Sequence, residues 1–468
     1  MYLDATAQAE LVRSGELTAV DLVDAAIARI EQVNPAINAV IASFYERARE
    51  QAAVAPTDAP FAGVPFLLKD IVAEYEGTPI AEGSAFLAGN YISPQDSELV
   101  RRYRQSGLII LGKTNTPEFA LLPTTEPVAY GASRNPWNTD LTTGGSSGGS
   151  TAAVAAGMVA VAHGNDGGGS IRVPSSCCGL VGLKPTRGRN PMGPHIGDAG
   201  NGLLCDHVVT RSVRDSAAIL DISSGPAMGD PYWPRTPERP FAEEVGREPK
   251  RLRIGLGTAP PNGATAHPDC IAAVEATARL CEELGHDIVE ASPQIDGSLY
   301  KALGNVWAGF LCWAIKDWAI RSGREPEEKY FEPATWRTYL HGQRQSSGDY
   351  LLAVQTLQQV GRDVAQFYVD YDVWLTPTLA QLPMPLGYFD YTRETRKQHI
   401  ARLGEYTCFT LIANATGQPG ISLPLHWNDQ NLPIGIQLLG RYGDEATLIQ
   451  LAGQLERACP WSHRRPAL

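Results

Sequence analysis

The sequence predicts an α/β fold. Three observations point to it. The chain of 468 residues is 43% apolar and only 19% charged, enough apolar material for a sizeable core. Short apolar runs alternate with segments of helical period along much of its length. The 46 glycines and 34 prolines supply the turns that such alternation needs. Length alone admits one large domain or two to three smaller ones.

The first strong element is a helix over 18–33. Thr18 can cap it, Asp21 stands at the favourable third position, and Leu22, Val23, Ala26, Ile27, Ile30 and Val33 recur at helical spacing. Pro35 is expected to stop it. Residues 62–71 read as a buried strand ending in charge, 97–106 as a helix, 108–111 as a second strand and 117–143 as loop. Two glycine-dense segments, 144–149 and 167–169, bracket an Ala/Val-rich helix (151–157) and a strand (158–163). A helix over 212–222 precedes a proline-rich connection at about 224–250. Alternation then resumes with a strand at 253–256, an amphipathic helix at 270–284 and a strand at 287–290. The stretch 299–371 is helical almost throughout and reads as an insertion. Strand-like pieces at 373–376, 420–425 and 435–439 lead to a last helix from Asp444.

A net charge of −12 speaks against a nucleic-acid footprint, which needs clustered positive charge. No membrane is expected either, because no uncharged apolar run approaches the ~18 residues of a spanning helix. The start, Met1 to Ala5, lacks the basic and apolar regions of a secretory signal. The eight cysteines are scattered without a C-x-x-C pair, which fits reduced thiols in a cytoplasmic protein and no metal site. Cys177 and Cys178 read as core packing.

The segment Gly144-Gly145-Ser146-Ser147-Gly148-Gly149-Ser150 admits three readings. A phosphate cradle would require a lysine that is absent. A nucleophile elbow would require a strand directly before it, where Asn135 to Thr143 is turn chemistry. A flexible turn is the bland reading. The segment does not stand alone, however: Asp166-Gly167-Gly168-Gly169-Ser170-Ile171-Arg172 follows, with Ser170 placed 24 residues after Ser146, and Lys69 ends the buried strand upstream.

These residues resemble the amidase signature family. Supporting matches run from Gly63-Val64-Pro65 and Lys69-Asp70, through Gly112-Lys113-Thr114-Asn115, to Cys178 through Thr186. Weaker ones continue to Gln418-Pro419, Pro433-Ile434-Gly435 and Asp444-Glu445. The resemblance implies one domain over 1–468, with a signature core at about 61–190 and a mixed central sheet wrapped by helices. It also implies a hydrolase that uses no cofactor: Ser170 as nucleophile, Ser146 after a cis peptide as bridge, and Lys69 as base. Gly167, Gly168, Gly169 and Ser170 would supply the oxyanion hole.

Elementary chemistry supports this assignment independently. A serine hydroxyl is a poor nucleophile until a nearby base takes its proton. Lysine is such a base only when burial lowers its pKa. Strand alternation turns Asp70 away from Lys69. A hydroxyl such as that of Ser146 donates to one neighbour while accepting from another.

Other residues carry smaller expectations. Asp166 and Arg172 brace the loop by a salt bridge, Ser147 orders the site through its hydroxyl, and Gly145 relieves crowding beside the bridging serine. Many family members carry Thr or Ile where Gly167 stands, so a roomier wall is expected there. His163 is the tempting alternative base, but the Lys–Ser–Ser scheme leaves it no task. Trp307, Phe310, Leu311 and Ala314 form a helical stripe. Trp307 and Phe310, with Asn115 and Thr125, are candidates for substrate contact.

A free-standing amidase acting on small-molecule amides, and on carbamates or esters, is the leading expectation, as monomer or homodimer. The A subunit of a tRNA-dependent amidotransferase is the alternative within the family. It typically carries a Ser-Ser-Leu-Asp-Gln element from which Leu203 to Arg211 departs. Asn165-Asp166, Cys177-Cys178 and Arg187-Gly188-Arg189 look more like the branch with cyclic-dimer amide hydrolases and broad-range amide and urethane hydrolases. An anion-binding module is the non-enzymatic alternative, and it leaves Lys69 unexplained.

Overall fold

The computed structural model describes residues 2–390 and 396–468. Its strands are β1 (Val40–Ser43), β2 (Pro65–Lys69), β3 (Ile109–Thr114), β4 (Arg134–Asn135), β5 (Asn138–Thr142), β6 (Val161–Asp166), β7 (Val181–Lys184), β8 (Cys205–Thr210), β9 (Arg253–Leu256), β10 (Asp287–Glu290), β11 (Val373–Pro377), β12 (Gly420–Trp427) and β13 (Pro433–Leu439). Among the described residues eleven of them form one sheet in the order β1-β3-β2-β6-β8-β7-β12-β13-β11-β9-β10. β2 runs parallel to both neighbours, whereas β8 is antiparallel to β6 and to β7. The sheet is mixed, as expected.

Its position in the core follows from the sequence of β2. Alternation sends Leu67 into one layer with Val23, Ile27, Ile30 and Val154. Phe66 and Leu68 enter the other, with Tyr103, Ile110 and Val208. Both faces are covered, so β2 and β3 are buried at every position, and each opens with an apolar run that ends in a buried lysine or threonine. Because β2 and β6 are adjacent and parallel, Lys69 and Asp166 end at the same edge of the sheet, where α/β proteins place their ligands.

Several expectations need correction. The first long helix is Ala19–Ile37, so Pro35 lies inside its last turn. The stop comes from asparagines: Asn38 turns left-handed at φ 49°, and Asn34 Oδ1 accepts from the N–H groups of Ala39 and Val40 at 2.8 Å each. The Ala/Val-rich helix starts earlier, at Gly148, and the following strand later, at Val161. The loop at 117–143 contains the β4–β5 hairpin. Helices Ala5–Arg13, Tyr45–Ala53 and Arg172–Cys178, and strands β1, β7 and β8, had no legible signal of their own. Arg172–Cys178 (RVPSSCC) has almost no helix propensity and is held by burial of every residue. The predicted helical stretch is three helices, Ser298–Ser322, Pro333–Arg344 and Ser347–Asp370. Among the described residues no helix is long and apolar enough to cross a membrane.

Candidate active site

Two turns meet above the ends of β2 and β6. The first contains the cis peptide between Gly145 and Ser146 and leads into helix Gly148–Ala155. The second, 167–170, leads into helix Arg172–Cys178. The Ser147 N–H donates to the Ser170 carbonyl at 3.1 Å, tying one turn to the other. Gly145 has no room for a side chain, since a Cβ there would stand 2.5 Å from the backbone N and O of Thr124.

Lys69 is fully buried, with Nζ 2.7 Å from Ser146 Oγ and 2.6 Å from Asn165 Oδ1. Burial pushes its pKa down to about 7, against the opposing pull of the Asp206, Asp166 and Glu82 carboxyl groups. A neutral amine in this place can donate to Asn165 and offer its lone pair to the Ser146 hydroxyl. Asp70 points away, as strand alternation requires, and lies 3.9 Å from Lys113 Nζ. Ser170 is only half-buried, whereas Lys69 and Ser146 are completely enclosed. The accessible hydroxyl and the hidden amine are therefore on different residues of different elements.

The second turn is shaped by Asp166. Its carboxylate accepts from the N–H groups of Gly169 (2.8 Å) and Ile171 (3.1 Å) and makes a bidentate pair with Arg172, at 3.0 Å to Nε and 2.9 Å to Nη2. Burial alone would raise its pKa, but the Arg172 guanidinium holds the carboxyl well below the usual range. Bracing is thus the role of this pair. It also refines the expected oxyanion hole: the Gly169 N–H is taken by Asp166. Among the described residues no acceptor takes the N–H of Gly167, Gly168 or Ser170. Ser147 Oγ donates to the Asn165 carbonyl at 3.2 Å, consistent with an ordering role.

His163 is buried in β6, with Nε2 3.0 Å from Asp206 Oδ1, and burial lowers its pKa. Its side chain is engaged with Asp206, not with either serine. Asn115 Nδ2 donates to the Gly131 carbonyl and Ser133 Oγ; Thr125 Oγ1 accepts from the Gly148 N–H and donates to the Gly144 carbonyl. Both brace loops and neither lines the cavity over Ser170.

That cavity measures about 450 Å³. Gly145, Gly168, Gly169 and Ser170 form its floor, Leu121, Leu122, Trp307 and Leu411 its apolar wall, and Tyr300 and His341 contribute polar groups. Trp307 is therefore where substrate contact was expected. Phe310 is not: it stands behind Trp307, edge-to-face at 5.6 Å. The roomier wall expected at Gly167 is absent because Trp307 fills that space, with Cη2 2.8 Å from where a Cβ would be.

Sequence reasoning missed the residues that arrive from far along the chain. Thr410 Oγ1 donates to the Gly168 carbonyl at 2.7 Å. Asn414 Oδ1 accepts from Arg172 Nη2 at 2.7 Å and its Nδ2 donates to Asp166, while Gln437 Oε1 accepts from Arg172 Nη1 at 2.8 Å. No local motif marks them. Asn165, adjacent to the glycine turn, was readable as a departure from the family pattern but not as a partner of Lys69.

The family model described as Amidase matches residues 21–449. The 6-aminohexanoate-cyclic-dimer hydrolase of Paenarthrobacter ureafaciens is 40% identical, over 100% of this chain and 97% of its own length. A solved structure of 6-aminohexanoate cyclic dimer hydrolase complexed with substrate is 38% identical with a TM-score of 0.94, covering 100% of this chain and 99% of the other. A bacterial aryl acylamidase of the amidase signature family is 26% identical with a TM-score of 0.89, covering 99% and 97%.

Proposed function

The chain belongs to the amidase family and is a hydrolase of amide C–N bonds, and from that premise we propose that it works through a Ser170 acyl-enzyme with Ser146 and Lys69 as its proton relay. The observation that carries this reading is the buried Lys69 amine 2.7 Å from Ser146 Oγ with a pKa of about 7. Neutral Lys69 takes the Ser146 proton as Ser146 takes that of Ser170, and the Ser170 oxygen attacks the scissile carbonyl. The developing oxyanion is received by N–H groups of Gly167, Gly168 and Ser170, fixed in place before the substrate arrives. The proton then passes back along the relay to the departing amine, and water repeats the sequence on the acyl-enzyme.

Small amides with apolar acyl groups suit the cavity, and carbamates and esters present the same carbonyl to the same donors. The amidotransferase subunit and the anion-binding module are not favoured by a chain with full-length relatives at 40% and 38% identity that are cyclic-dimer hydrolases by name. Purified protein should therefore cleave an anilide without tRNA, ATP, metal or partner. Ser170→Ala should lose at least ~10³-fold in turnover, and a fluorophosphonate should label residue 170 alone. Label found on another residue, or near-normal rates in Ser170→Ala, overturns the reading.

A further inference from the structure

We propose that Trp307, seated in the space that a side chain at position 167 would fill, is a specificity-determining residue that restricts the enzyme to acyl groups unbranched at the atom next to the scissile carbonyl. This rests on Ser170 being the nucleophile.

Gly167 begins the turn that carries the backbone donors. A Cβ built on it would meet Trp307 Cη2 at 2.8 Å, Trp307 Cζ2 at 3.0 Å and Leu204 Cδ1 at 3.3 Å. The glycine and the indole are thus one fitted pair, and neither side yields easily. The turn is held by Asp166 on the Gly169 N–H and by Thr410 on the Gly168 carbonyl. The indole projects from helix Ser298–Ser322, whose Leu299, Ala302, Leu303 and Val306 are buried in the core beneath it. Phe310 meets its edge at 5.6 Å, and Trp313 backs Phe310 at 5.7 Å.

Trp307 also lines the cavity with Gly168, Ser170 and Leu411. A carbonyl oxygen bound at the N–H groups of Gly168 and Ser170 therefore places the atom attached to its carbon beside the indole. A methylene chain can pass along a flat ring; a second or third methyl on that atom must occupy volume the ring already holds. In a filled pocket one methyl changes kcat/KM by about 10- to 200-fold.

The test compares p-nitroanilides of butanoic and 2,2-dimethylpropanoic acid, with fluorophosphonate labelling of Ser170 to count competent sites in every variant. Wild type should favour the unbranched anilide by at least ~100-fold. Trp307→Ala should shrink that ratio at least ~10-fold, chiefly by raising the branched rate, and Trp307→Leu serves the same purpose if the alanine variant does not fold. Gly167→Ala should lower both rates because it pushes the indole into the cavity, and adding Trp307→Leu should restore the unbranched rate. An unchanged ratio in labelled Trp307 variants, or a double variant no better than Gly167→Ala, overturns the inference alone. Failure to label Ser170 in wild type overturns the catalytic reading instead.

Discussion

The floor and the roof of the cavity are held by opposite means. Beneath the floor, Lys69, Ser146, Asp166 and Arg172 are completely buried polar groups, each fixed by side-chain or backbone hydrogen bonds within a low-dielectric layer. On the roof, helix Ser298–Ser322 contributes Leu303 and Trp307 through apolar packing, and the polar Tyr300 and His341 belong to this side as well. A buried hydrogen-bonded network has few tolerable alternatives, because each lost partner strands a desolvated group. An apolar wall accepts other side chains of similar volume. On the proposed reading, the chemistry belongs to the buried network and the choice of substrate to the roof.

That division is most severely tested at Lys69. Lys69→Ala should lose at least ~10³-fold at every pH and on every substrate alike, since among the described residues no other side chain hydrogen-bonds to Ser146 Oγ. On the proposed relay only the neutral Lys69 amine is active, so kcat/KM should rise as pH passes upward through about 7 and level off above it. His163→Gln should leave this limb in place. A limb that vanishes with His163 and survives Lys69→Ala would break the comparison at its root.

A smaller effect is expected at Asn165. Asn165→Asp puts a carboxylate where the neutral Oδ1 now lies 2.6 Å from Lys69 Nζ. The charge favours the ammonium form, raises the lysine pKa and moves the limb to higher pH. A shift of one unit lowers activity at pH 7 by about fivefold, recoverable at alkaline pH. A pH–rate profile superimposable on wild type would show that Asn165 does not tune the base.

The smallest effect belongs to the roof. Phe310→Leu removes the edge contact behind Trp307 without touching the floor. It should change the ratio of branched to unbranched anilide by about two- to fivefold, the scale of one lost aromatic contact, and leave the pH limb where it was. Movement of the limb in this variant would mean that roof and floor are not separable.

The sequence by itself determined the α/β class and the strand that delivers Lys69, because these features are local, an apolar run and a turn composition; Ser146 and Ser170 were legible through resemblance to the amidase signature family. It also indicated the Asp166–Arg172 brace, six residues apart on one turn. Only the tertiary structure decided the rest. Thr410, Asn414 and Gln437 reach the glycine turn from more than 240 residues away, and no pattern of their own announces that task. The same holds for Gly167, which in sequence promises open space and in the folded chain is filled by Trp307. What a missing side chain leaves behind is settled by whichever element packs against it, and that packing is a property of the whole fold.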